Sequence, residues 1–297
     1  MVLAASRRML ARVLVAAAAA LAVSCGSDDA PAPVVVGAGD SAESRVLAEV
    51  YAQALARTGI VTAVRPDLGG RADYLAVLDA AEVTLVGEHN GALLAALGAD
   101  SEDGTVDKVT EALYGSLPPG LVVSDAADGT DLRPRVVLTD AAAGQYRIGS
   151  IDDLLPHCPA FTVAVAPVSG LLTLPAPAAD IDGCEFAATL TLPDAGELRR
   201  ALTEGRAQAG VLTGPAELMP GGGAGLTVLS DDEYALPAQN VLALVRKNVL
   251  GERQWEKLNY VAGELTTDEL LTMVRRVRDD AADPAELART WLDAHGL

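Results

Sequence analysis

Two short stretches bring hydrogen-bonding side chains to the ends of apolar runs, where an α/β chain places its ligand chemistry. Gly37-Ala38-Gly39-Asp40-Ser41-Ala42 follows Val34-Val35-Val36, and Glu88-His89-Asn90 follows the run 83–86. Both read as strand-to-helix junctions, which aim free helix N–H groups and a partial positive charge beyond the carboxyl end of a strand. Ser41 can donate to a ligand carboxylate there and Asp40 can repel one, while both serve equally as helix caps. His89 and Asn90 add hydrogen-bonding groups, with a solvated or capping histidine as the alternative. The first stretch also fits the glycine spacing of a dinucleotide-binding turn, but no acidic residue ends a second strand about 20 positions on. A nucleotide is therefore not expected.

Enzyme chemistry finds no motif. The histidines are His89, His157 and His295, without His-Glu-x-x-His, a Gly-x-Ser-x-Gly elbow or Cys/His metal spacing. No catalytic residue, metal or cofactor is expected, short of groups that pair only in space.

The chain has 297 residues, 50% hydrophobic and 21% charged, which describes a globular body of one or two domains. Residues 1–25 read as an export signal, with Arg7, Arg8 and Arg12 before the apolar run 13–23. Its ending, Leu21-Ala22-Val23-Ser24-Cys25-Gly26, resembles a bacterial lipobox. That resemblance implies diacylation of Cys25, cleavage before it, and attachment to the outer face of the cell membrane through a Pro-rich tether over 26–33. A plain signal or anchor with an incidental cysteine is the alternative. Removing three arginines and no acids leaves 19 basic against 41 acidic residues, a net charge of −22. Such a surface repels phosphate backbones, so nucleic acid is excluded as a partner. Cys158 and Cys184 remain as a pair in a compartment where disulfides persist. A bridge would close a loop of about 25 residues and contribute about 3 kcal/mol; two buried thiols are the alternative.

These residues need elements to carry them. Short β-rich runs alternate with helical stretches from Val34 onward, which argues for an α/β fold with mainly parallel sheets. Strands are predicted at 34–36, 60–64, 83–86 and 121–123, and helices at 71–81, 91–97 and 106–114. The first helix has Asp40 and Glu43 as a capping box, an apolar stripe of Val46, Leu47, Val50, Ala54 and Leu55, and Gly59 as its stop. A polar run at 125–134 marks a crossover into a second lobe with strands at 136–139, 161–166 and 209–212 and a helix at 197–207. After a strand at 226–229 the acidic turn Ser230-Asp231-Asp232-Glu233 leads back to a strand at 241–245. Helices follow around 252–258, 267–277 and 284–295, the last opened by Asp283 and Pro284.

Several of these stretches together resemble the glycine betaine/carnitine/choline-binding proteins of ABC importers. They are Val34-Val35-Val36-Gly37 with the run from Glu43 to Leu55, Leu68-Gly69-Gly70-Arg71, Glu88-His89-Asn90-Gly91-Ala92, Ser150-Ile151-Asp152-Asp153-Leu154, Leu229-Ser230-Asp231-Asp232-Glu233, and the C-terminal run from Leu258 to Leu271 with Asp283-Pro284 and Leu292 to Leu297. The likeness is weakest over 156–192. It implies a type II periplasmic-binding-protein fold of two α/β lobes joined by two crossovers, with lobe I at 34–128 and 234–297 and lobe II at 129–233. It further implies an extracytoplasmic, monomeric, lipid-anchored protein that captures a small solute between the lobes and delivers it to a membrane permease. Proteins of this family hold a trimethylammonium head in a cage of aromatic rings. Here the family's Asn-aromatic-Thr-Glu loop reads Asp40-Ser41-Ala42-Glu43, and its Glu-Tyr-Thr-Gly-Thr loop reads Glu88-His89-Asn90-Gly91-Ala92. Tyr234 is the one aromatic expected at the cleft; Tyr51, Tyr74, Tyr114, Tyr146, Tyr260, Phe161, Phe186, Trp255 and Trp291 are expected in the core. The ligand set implied is Gly39, Asp40, Ser41, Glu43, Glu88, His89, Asn90, Thr213, Tyr234, Gln239 and Asn240, with Glu43 doubling as a cap. Thr213-Gly214 matches the family's Thr-Asp-Gly turn with glycine in place of the acid. Such a pocket suits an osmoprotectant-like solute or a more polar or smaller one; a family member that lost transport and serves as a ligand-free envelope scaffold is the rival.

Overall fold

A computed structural model describes residues 32–174, 181 and 183–297. The export signal, Cys25 and all but the last two tether residues lie outside the described residues. Pro33–Leu297 forms one unit with two five-stranded sheets.

The first sheet runs β2-β1-β3-β10-β4, from Val34–Gly37 (β1), Thr62–Arg65 (β2), Leu85–His89 (β3), Leu121–Val123 (β4) and Val241–Arg246 (β10). The second runs β7-β6-β8-β5-β9, from Arg135–Thr139 (β5), Thr162–Ala166 (β6), Ala188–Thr191 (β7), Ala209–Leu212 (β8) and Leu226–Val228 (β9). The two orders are the same pattern, with one strand of each sheet arriving from across the molecule.

That arrival reverses one strand in each sheet, the other four running the same way, so the sheets are mainly parallel as expected but mixed. β1 lies parallel to β2 and β3, but β10 is antiparallel to both β3 and β4, and β5 is antiparallel to β8 and β9. The reason is geometric. A chain entering a lobe from the crossover starts its strand where the neighbouring strands end, so Val241, the first residue of β10, pairs with His89, the last of β3.

Helices Ala42–Ala56 (α1), Arg71–Asp79 (α2), Asn90–Ala96 (α3) and Val106–Ser116 (α4) belong to the first lobe. Asp140–Tyr146 (α5), Ile151–Leu154 (α6) and Ala195–Thr203 (α7) belong to the second, and Glu252–Glu264 (α8), Thr267–Asp280 (α9) and Pro284–Ala294 (α10) return to the first. The stripe on α1 is buried as read, with Val46, Leu47, Val50, Ala54 and Leu55 inaccessible. In lobe II alternation divides the packing: Val137, Ala164 and Ala166 join the core that continues from lobe I, while Val136, Leu138 and Val163 build a separate core on the other face. Cys158 and Cys184 are bonded, with Cα atoms 5.5 Å apart.

The crossovers are laced together. Ser124 and Ala127 N–H groups donate to Ala243 and Val241 carbonyls at 2.9 and 2.8 Å, and Leu132 N–H donates to Gln239 at 3.0 Å. Tyr51, Tyr74, Phe161 and Trp291 are buried as expected, but Tyr114, Tyr146 and Tyr260 are exposed. The Tyr146 ring nonetheless packs against Phe161 and His157, with centroids 5.1 and 5.4 Å apart.

Candidate functional site

The first junction is shaped by close approach. A Cβ on Gly39 would stand 2.7 Å from the Gly69 carbonyl oxygen, and one on Gly37 would stand 2.8 Å from Leu68 Cδ1. The glycines therefore admit the 68–70 loop. Asp40 ties that loop down: its N–H donates to Gly69 O at 3.1 Å and its carboxylate accepts from Gly69 N at 3.2 Å. Ser41 is the N-cap of α1, accepting from Ser44 N–H at 3.0 Å.

Glu43 does not close a capping box with Asp40, which corrects that expectation. Its side chain is fully buried between the lobes: Oε1 meets His89 Nε2 of its own lobe at 2.6 Å, and Oε2 accepts from Leu172 N–H of the other at 2.7 Å. Its own N–H, one of the free donors of the helix terminus, donates to the Gly170 carbonyl at 2.8 Å. A strap from lobe II, residues 169–173, thus lies on the N-terminus of α1.

The second junction is strand for longer than its apolar run suggests. β3 continues through Glu88 and His89, both buried. Glu88 takes a two-pronged contact from Arg71, Nε at 2.9 Å and Nη2 at 3.0 Å, and accepts from the Tyr74 hydroxyl at 2.5 Å and His89 N–H at 3.1 Å. Burial, then the Glu88 charge, raises the Tyr74 pKa. Burial opposes the charge on Arg71, but Glu88 outweighs it and holds the guanidinium pKa up. Arg71 Nη1 also donates to the Thr173 carbonyl, the strap's last hold on lobe I. Burial, then the charge of Glu43, likewise raises the Tyr51 pKa. His89 Nδ1 has no partner among the described residues.

Asn90, Gln239 and Asn240 face inward. Asn90 Oδ1 accepts from Asn240 N–H and Gly91 N–H at 2.8 Å each, Gln239 Oε1 accepts from Ala92 N–H at 2.9 Å, and Asn240 Nδ2 donates to the Ala127 carbonyl at 3.2 Å. They pin the start of α3 to both crossovers. Thr213 supports the root of the strap, its hydroxyl accepting from Val168 N–H at 3.1 Å. A Cβ on Gly214 would lie 2.6 Å from Leu171 Cδ1, so the strap occupies the room an acid would need there.

Tyr234 does lie at the second crossover, in a left-handed conformation with φ of 54°. Its ring is covered by the Arg133 guanidinium, 4.4 Å from the centroid. Arg133 also bonds Asp131 at 3.0 Å and Asp231 at 3.2 Å, linking the two crossovers by charge. Burial works against the charge on Asp131, but hydrogen bonds from Arg133 and the charges of Arg135 and Arg133 lower its pKa to about 2.

The space left between the lobes is divided by the strap. A cavity of about 140 Å³ is bounded by Gly39, Asp40, Ser41, Arg71, Tyr74 and Thr173. A wider groove of about 830 Å³ lies between Asp194, Glu217 and Gly221 of lobe II and Arg275 and Arg278 of α9. Arg278 closes its inner edge, donating to the Ser169 and Leu218 carbonyls at 3.0 Å. Among the described residues no group of three or more His, Cys, Asp or Glu is gathered for a metal ion. Arg71, Tyr74, Arg133 and the strap are the residues that sequence reading left out of the ligand set. Arg71 stood within a recognised stretch, Leu68-Gly69-Gly70-Arg71; the strap falls in 156–192 and carried no signal.

The substrate binding domain of ABC-type glycine betaine transport systems, as a family model, matches residues 32–294. Among solved structures, a glycine betaine/carnitine/choline ABC transporter protein aligns with a TM-score of 0.67 at 16% identity, over 89% of this chain and 98% of that one. Apo YehZ from Escherichia coli aligns at 0.63 and 18% identity, over 89% and 99% of the two chains. ProX from Borrelia burgdorferi, a glycine/betaine/L-proline-binding protein, gives 0.51 at 11% identity, over 89% and 93%. At these identities the likeness is one of fold. No curated protein sequence matches the chain.

Proposed function

Since the chain belongs to the family of substrate-binding domains of ABC-type glycine betaine transport systems, we propose that it holds a compact polar solute between its lobes and presents it to a permease. Lobe I is 34–128 with 234–297, lobe II is 129–233, and the hinge is the laced pair of crossovers. The observation that carries this reading is the meeting, around one small cavity, of the α1 N-terminus, the start of α2 with Arg71 and Tyr74, and a segment of the opposite lobe. Closure that joins such groups is how a two-lobed binder buries a small solute. The solute contacts are Gly39, Asp40, Ser41 and Glu43 at the first junction and Glu88 and His89 at the second, joined by Arg71; Thr213, Tyr234, Gln239, Asn240 and Asn90 hold the hinge and the strap. Lipidation at Cys25 would keep the protein at the outer membrane face as a monomer beside its permease; no helix among the described residues is long and apolar enough to cross a membrane.

The relatives' names mention glycine betaine, carnitine, choline and proline, so these, polyamines, amino acids and sugars form the test panel. Thermal unfolding of the chain from Gly26 is expected to rise with one of them. At a hundred times the dissociation constant the gain is about 2.7 kcal/mol, or roughly 5 to 10 °C. A second reading, a ligand-free scaffold in the envelope, is favoured by the strap, which already satisfies the groups a solute would meet. Silence across the panel would select it.

A further inference from the structure

We propose that the strap 169–173 holds the place of a solute bearing N–H groups, and that the site takes an amino acid or short peptide in preference to a quaternary amine. This rests on the solute-binding reading above. Besides Arg278 of α9, which holds the Ser169 carbonyl at the strap's root, lobe I grips the strap through three contacts: Glu43 N–H donates to Gly170 O, Glu43 Oε2 accepts from Leu172 N–H, and Arg71 Nη1 donates to Thr173 O. The site is therefore a donor, an acceptor and a donor in succession.

The acceptor discriminates. Glu43 is fully buried, and its other oxygen is held by His89 at 2.6 Å. When the strap leaves, Oε2 needs a new N–H. A primary or secondary ammonium or a peptide N–H supplies one, whereas a trimethylammonium presents only methyl groups and leaves a buried carboxylate oxygen unsatisfied. Nor do the described residues gather an aromatic cage to compensate. Tyr234 carries Arg133 on its ring, and Tyr74 is buried with its hydroxyl committed to Glu88. A solute carboxylate would take over the two donors that now hold strap carbonyls, the α1 N-terminus and Arg71. Leu172, 5% exposed, marks an apolar recess for the solute's side chain.

Matched pairs isolate the N–H group: glycine against glycine betaine, proline against proline betaine, with leucylglycine as the peptide. Calorimetric titration of the full chain is expected to give about tenfold or more tighter binding for the N–H member of each pair. Leu172→Ala loosens the strap without touching Glu43 or Arg71, and should tighten that binding further. Equal or tighter binding of the methylated members would overturn the N–H assignment and leave solute binding standing. No binding of any solute, by either chain, would overturn the solute-binding reading itself. Should Leu172→Ala fail to fold, the ratio within each pair is still read on the unsubstituted chain at millimolar solute.

Discussion

Glu88 is fully buried at the end of β3 and gathers Arg71, Tyr74 and its neighbour's N–H around one carboxylate. Removing it leaves a guanidinium and a phenol in the cleft wall without their acceptor. Glu88→Ala is expected to cost about 3 to 5 kcal/mol, read as a fall in the urea midpoint with an unchanged slope. Asp131 should show itself through acid. Its pKa is lowered from the ordinary 3.8 to about 2, so folding favours the ionised form. The stabilisation is complete above about pH 4 and is lost as pH falls towards 2. Partial exposure keeps it modest. Asp131→Asn should flatten that part of the stability profile while leaving neutral pH less stable. The residues that follow local rules were legible: Ser41 caps α1, and Asp283 caps α10 by accepting from Ala285 N–H at 2.9 Å. Glu43 looked like another cap because its true partner, Leu172, is 129 positions away. No spacing rule reaches so far.

At the scale of elements, the strap and the β8 turn are fitted to each other. Gly214→Ala drives a Cβ against Leu171 and is expected to destabilise by about 1 to 3 kcal/mol. Leu171→Ala alone should also destabilise, yet the double variant should lose less than the sum, a coupling that a denaturation cycle measures. Runs with strong apolar contrast were legible as elements, among them β1, α1, β8 and β10. Two were not. Asp140–Tyr146 has alanines and a glycine where a stripe would be, and Ala188–Thr191 is a largely exposed edge strand with no buried face to read. The end of β3 was missed for the opposite reason: Glu88 and His89 are polar residues made tolerable in a core by partners elsewhere.

For the whole molecule, the strap predicts closure without cargo. The solute-free chain should scatter X-rays with a radius of gyration near about 18 Å, as expected for a compact body of this length. Saturating solute should leave that value unchanged. Glu43→Ala with Arg71→Ala and Arg278→Ala removes the side-chain holds of lobe I on the strap and should raise it; an unchanged radius would mean that the crossovers and the remaining backbone contact set the closed form. The two-lobed architecture was legible because its alternation of elements and its matching stretches span most of the chain. How tightly the lobes are joined was not, since that depends on a loop with no pattern of its own.

The position of β10 also decides the order in which this molecule can be completed. It lies between β3 and β4, yet the chain reaches it only after all of the second sheet has been made. As the chain is made, the second sheet can assemble from one contiguous stretch, while the first waits with β3 unpaired along one side. An unpaired strand edge invites the wrong partner. The last fifth of the chain therefore acts as the keystone of the first lobe, and a chain ending before Val241 would leave the earliest part synthesised as the last to become safe from aggregation.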